Sequence, residues 1–113
     1  QKGLLSGKFT PEKVAALPPD DVRHKDSNFI SPQLEVNLKI IEKLTQVAKR
    51  NKITMAQLAT AWTIRSPEVT AAIVGARRKG QIAETAAAAD ITLSEDDIEE
   101  IEEILKTRQN NLK

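Results

Sequence analysis

The residues best suited to chemistry are Arg77, Arg78 and Lys79, three consecutive cations between the apolar run V-T-A-A-I-V (residues 69–74) and helix-forming sequence beginning at Gln81. Gly75 breaks the run, so the stretch reads as strand, loop and helix with the cations at the junction. Backbone N–H groups at a helix start lack intrahelical partners and carry partial positive charge, so anions settle there. Guanidinium groups beside them can grip a phosphate bidentately, which makes phosphate the expected guest. A solvated basic turn is the alternative reading of the same residues.

A second glycine-bearing stretch, G-L-L-S-G-K at residues 3–8, ends on Lys8. Its spacing, G-x-x-x-G-K-F, is too short for a P-loop, so it reads as a turn whose glycines also permit close approach of a ligand. Arg23 and His24 sit in a polar, irregular stretch from residue 19 to residue 29 and could face a ligand. His24 is the single histidine, and without a second metal-type ligand or paired carboxylates it reads as surface. No metal site and no catalytic constellation is expected.

The elements that must position these residues are mostly helical. Thr10-Pro11 caps a short helix that Pro18-Pro19 ends. Ser31-Pro32 opens the longest helix, to about Arg50, with Leu34, Leu38, Ile41, Leu44 and Ala48 on one face and Asn51 as a left-handed C-cap. Thr54 and Gln57 form a capping box for a helix over 55–65 that buries Leu58, Ala61 and Trp62. An alanine-rich helix follows over 81–89. Ser94 then caps a last helix to about Thr107, buried through Ile98, Ile101, Ile104 and Leu105. Residues 69–74 are apolar on both faces, as in a parallel strand covered on both sides. Such a strand needs neighbours, and no convincing second strand is present.

Composition sets the outer limits. At 113 residues the chain is the size of one domain, with 40% apolar and 29% charged residues. It could bury about 65% of its unfolded surface. There is no cysteine, hence no disulfide framework or thiolate metal site. No apolar run approaches the ~20 residues of a membrane helix, so no membrane partner is expected. Residues 1–89 carry a net +6 and residues 90–113 a net −5, which return the overall +1. The acidic end is accounted for by helix formation and solubility.

Four motifs in register then point to a family. G-L-L-S-G-K (3–8), D-D-V-R (20–23), T-x-A-Q-L-A-x-A-W (54–62) and I-V-G-A-R-R-K-G-Q-I-A-E-T (73–85) together resemble the aldo-keto reductases, nearest the bacterial general-stress-type branch. The resemblance covers nearly the whole chain. It implies an α/β fold in which residues 1–113 are the C-terminal third of a (β/α)8 TIM barrel, not a complete domain. Residues 1–8 would be the loop after strand seven, residues 69–74 strand eight, and residues 81–89 helix eight. Loops after strands seven and eight commonly bind phosphate in such barrels.

The resemblance further implies NADP(H) as cofactor. Lys8 would lie by the pyrophosphate and Arg23 would fold over the cofactor. Gly75 and Ala76 would offer backbone, Arg77 would grip the 2′-phosphate, and Gln81 and Glu84 would face the adenosine. Thr85, a shorter group without the amide's donor and carbonyl, stands where the family usually has Asn, which implies weaker or different adenine contacts. The family's proton donor is a tyrosine, supported by Asp, Lys and His, and this chain has no tyrosine. The segment alone is therefore expected to be inactive, with no catalytic residue of its own. Its expected partners are the missing barrel strands and, in the whole enzyme, a small carbonyl substrate; the expected compartment is cytoplasmic. The alternative is a stand-alone helical module meeting nucleic acid or phosphate through its basic loop. With 3% aromatics and no recognition-helix pattern it has little support, and no nucleic-acid partner is expected.

Overall fold

The computed structural model describes residues 2–112, and among these the secondary structure is helical throughout. Five α-helices follow in order: α1 Pro11–Ala15, α2 Gln33–Arg50, α3 Met55–Thr63, α4 Gln81–Ala86 and α5 Glu95–Asn111. Short 3-10 turns at Leu4–Ser6, Val22–Lys25, Ser27–Phe29 and Ala87–Asp90 fill the connections. The polar stretch after residue 19 thus contains two tight turns, capped by the Asp21 and Asp26 carboxylates, which accept from the N–H groups of Arg23 and Asn28.

The long helices form where the apolar period is strongest. On α2, Leu34, Ile40, Ile41, Leu44, Val47 and Ala48 are buried, and α5 packs along α2 through Ile101 and Ile104. Met55, Leu58 and Ala61 of α3 complete this main core, with Leu93 from the loop before α5. A smaller cluster joins Leu4, Val14, Phe29, Leu34 and Ile41, so the two N-terminal loops rest on the start of α2. Gly7 brings the first loop back against α2 and α3: its φ is +71°, and a Cβ there would stand 3.5 Å from Met55 Cβ.

Caps fix most helix ends. Thr10, Thr54 and Ser94 each accept from the N–H three residues on, and Gln57 completes the capping box at Thr54. Two expectations at α2 need correction. The residue before the helix is Pro32, which offers no side-chain cap, while the Ser31 hydroxyl donates to Glu35. At the other end Asn51 keeps a right-handed φ of −84°, and the left-handed residue is Lys52 at +57°. Ile53 N–H then bonds to Ala48 O and Lys52 N–H to Lys49 O, both at 3.0 Å, a Schellman motif with lysine in glycine's usual place. The Asn51 amide is used elsewhere, donating to Val47 O and to Asp97. Other helix ends move by a few residues: α3 stops at Thr63 and α5 runs on to Asn111. The alanine-rich helix tightens into a 3-10 turn after Ala86.

Two polar networks tie distant segments together. Arg50 reaches Asp97 and Glu100, joining the end of α2 to the start of α5. Arg108 of α5 donates to Asn37 at 2.7 Å and to Asn28 at 3.0 Å, and Asn37 donates back to Asn28 O. Asn37 is 3% exposed, so these bonds satisfy an amide that would otherwise be costly to bury.

Residues 69–74 form no strand. No other segment among the described residues is a strand, so the carbonyls and N–H groups here have no ladder to join. The segment runs without helix or turn, and Ile73 is fully exposed. Among the described residues, no helix is long and apolar enough to cross a membrane.

Candidate functional site

Three segments far apart in sequence meet around one open cleft of about 960 Å³. The first loop contributes Lys2, Gly3, Ser6 and Lys8; the stretch after α1 contributes residues 20–23; the junction before α4 contributes Ile73, Val74, Gly75, Arg77 and Gln81. Of the site residues expected from sequence, Lys8, Arg23, Gly75, Arg77 and Gln81 share this cleft, while Ala76 and Glu84 are not among its lining.

The cations divide into paired and unpaired. Asp21 holds Arg23 bidentately, with Nε at 2.8 Å and Nη2 at 2.6 Å, and the guanidinium stacks over Phe9 with 5.2 Å to the ring centroid. That hydrogen bonding keeps the Asp21 carboxyl well below the usual carboxylate range and raises Arg23. Arg23 therefore enters the cleft as an oriented donor whose charge Asp21 already neutralises. Lys2 pairs with Asp26 at 2.9 Å across the two loops, and this contact, with the Asn28 N–H next in weight, holds Asp26 at about 2. Among the described residues, Lys8 and Arg77 make no ion pair, and the acids in the cleft lining are Asp20 and the Arg23-bound Asp21. Gly75 leaves open space where a side chain would stand.

The junction itself is arranged differently from the sequence expectation. Arg78 is not a third free cation: its Nη2 donates to Glu84 Oε2 at 2.8 Å, so the Glu84 carboxylate is engaged within the loop. Gln81 Oε1 accepts from Arg77 N–H at 2.8 Å, so this backbone donor is already satisfied. Helix α4 has only six residues and contributes a small dipole. The charged donors that remain at this junction are therefore side chains rather than the helix end. The Thr85 hydroxyl donates to Gln81 O at 2.9 Å, back along its own helix.

Sequence reasoning did not anticipate the Lys2–Asp26 pair, the grip of Asp21 on Arg23 or the second contact of Gln57. The signal for Asp21 was the D-x-R spacing, which suits an Asx turn followed by an ion pair. For Gln57 it was the capping box, which uses only one end of the amide: Oε1 accepts from Thr54 N–H at 3.0 Å while Nε2 reaches Glu84 O at 2.9 Å. His24 is exposed, with Nε2 against the carbonyls of Leu17 and Pro18. No metal-type cluster occurs among the described residues.

Comparison with known proteins gives the family. Residues 1–106 match the model of the aldo/keto reductase family. Aldo-keto reductase YhdN of Bacillus subtilis is 32% identical over 106 residues, covering 93% of this chain and 31% of that protein. L-glyceraldehyde 3-phosphate reductase of Escherichia coli K12 is 28% identical over 117 residues, covering 98% of this chain and 33% of that protein. Aldo-keto reductase yakc [NADP(+)] of Schizosaccharomyces pombe is 28% identical over 103 residues, covering 90% and 29%. The chain thus spans about a third of the length of the curated relatives it matches.

Proposed function

From the chain's membership of the aldo/keto reductase family we propose that it is the C-terminal third of a (β/α)8 barrel and carries that enzyme's NADP(H) site. The observation that supports this reading is the meeting of Lys8, Arg23 and Arg77 on one cleft, though up to 69 positions separate them. The loops that carry Lys8 and Arg77 are those that follow the seventh and eighth strands in such a barrel, where phosphate sites are commonly built. Residues 69–74 become strand eight once neighbouring strands supply the ladder they lack here.

The residues present suit the cofactor. The cleft has room for an extended anionic ligand, and Lys8 and Arg77 are among its lining. In this reading Lys8 neutralises the pyrophosphate and Arg23, fixed by Asp21, donates to it. Arg77 takes the 2′-phosphate, Gly75 and Ala76 let the ligand lie against backbone, and Gln81 and Glu84 flank the adenosine. Glu84 must then share its carboxylate between Arg78 and the base. The bound nicotinamide supplies a hydride for an aldehyde or ketone, and the proton comes from a group outside this chain, which has no tyrosine. One relative's name carries NADP(+), in keeping with a site that holds a 2′-phosphate.

The test is a calorimetric titration of the complete barrel protein with NADPH and with NADH. The reading expects NADPH to bind more tightly; equal affinities, or no binding of either, would overturn it.

A further inference from the structure

Helix α4 is held in place by little buried apolar surface. None of its six residues is buried, and Ile82 is 56% exposed. It lies on α3, and the side chain that crosses this contact with a hydrogen bond is Gln57. Residues 57 and 84 are 27 apart in sequence, and Gln57 Nε2 donates to the Glu84 backbone carbonyl at 2.9 Å. The same amide's Oε1 accepts from Thr54 N–H at 3.0 Å, and Thr54 Oγ1 accepts from Gln57 N–H at 3.1 Å. Gln57 is thus fixed at both ends, by the cap of α3 and by the backbone of α4.

The residue type is informative. A helix start favours glutamate at this position, because a carboxylate completes the capping box and also complements the dipole. Glutamine gives up that electrostatic gain, and what it has that glutamate lacks is an N–H donor, which Glu84 O receives. From Glu84 the geometry continues to the cleft: its carboxylate orients Arg78, and one turn earlier Gln81 holds Arg77 N–H.

We propose that Gln57 is a positioning residue for the adenosine end of the cofactor, setting where α4 presents Gln81 and Glu84 and where the Arg77 backbone is anchored. This rests on the NADP(H) reading above. Gln57 touches none of the cofactor. It acts by keeping α4 docked, so that the groups that meet the 2′-phosphate and the base are in position before the ligand arrives.

Two variants of the complete barrel protein separate the two ends of the amide. Gln57→Glu keeps the cap and loses the donor; Gln57→Met loses both without adding charge. Amide hydrogen exchange over residues 81–86, thermal melting and calorimetric titration with NADPH are measured for each. The expected result is faster exchange over 81–86 and roughly 2- to 10-fold weaker NADPH binding in both variants, the loss of one hydrogen bond's worth of positioning. Gln57→Glu should melt close to the parent, whereas Gln57→Met should melt lower. Unchanged exchange over 81–86, or unchanged NADPH affinity in Gln57→Met, overturns the positioning role while leaving the cofactor reading intact. Failure of the parent protein to bind NADPH overturns both.

Discussion

Removing the Arg77 side chain is the sharpest perturbation of the proposed cofactor site. Its backbone N–H is held by Gln81 Oε1, so Arg77→Ala takes away the guanidinium without releasing the loop. Arg77 is exposed and makes no ion pair among the described residues, so no internal partner is left stranded. A charge-assisted contact to a phosphate contributes about 1.5–3 kcal/mol, equivalent to roughly 10- to 150-fold in Kd. Exposure and salt push the expected value to the lower part of that range, about tenfold near 0.15 M salt. NADH lacks the 2′-phosphate and should lose almost nothing. Lys8→Ala serves as the contrast: a pyrophosphate contact is common to both cofactors, so both should weaken together. The assay is calorimetric titration of each variant of the complete barrel protein with NADPH and NADH. Equal losses for the two cofactors in Arg77→Ala would refute the assignment of Arg77 to the 2′-phosphate.

Further outcomes concern the scaffold. Leu58 is 1% exposed in the main core, so Leu58→Ala should cost about 2–5 kcal/mol, read from denaturant unfolding. Lys52 occupies a left-handed position, so Lys52→Gly should stabilise by roughly 0.5–1 kcal/mol, and a lowered denaturation midpoint would contradict that strain. Acid should destabilise the fold through depressed carboxyls. Asp26 is held at about 2 chiefly by Lys2, and Asp97 is lowered chiefly by Arg50. Their unfolded counterparts titrate near pH ~4, so this stability is complete above that pH and is lost as pH falls toward 2. Unfolding measured from pH 6 to 2 should show that loss, and Asp26→Asn should remove part of it.

Much of the fold was legible because the decisive signals are local. The caps at Thr10, Thr54 and Ser94 and the periodic faces of α2 and α5 follow from short-range geometry. What was not legible was equally physical. A strand exists only with a partner, and the run over 69–74 finds none among the described residues, so its composition alone could not make it one. Asn51 resembles a left-handed cap by type, yet its amide is recruited by Asp97, forty-six positions away, and Lys52 takes the strained angle instead. The candidate site was half legible. Motif order placed Lys8, Arg23 and Arg77, which do line one cleft. It could not show that Asp21 neutralises Arg23 or that Arg78 engages Glu84, because those pairings depend on tertiary geometry.

The central claim is that residues 2–8, 20–23 and 73–81 together cradle the phosphates of a dinucleotide. A crystal structure of the complete barrel protein with NADPH tests it most directly. The account predicts a 2′-phosphate against the Arg77 guanidinium, a pyrophosphate between Lys8 and Arg23, and residues 69–74 paired as a strand. A dinucleotide bound elsewhere, or Lys8 and Arg77 facing opposite sides of the molecule, would contradict it.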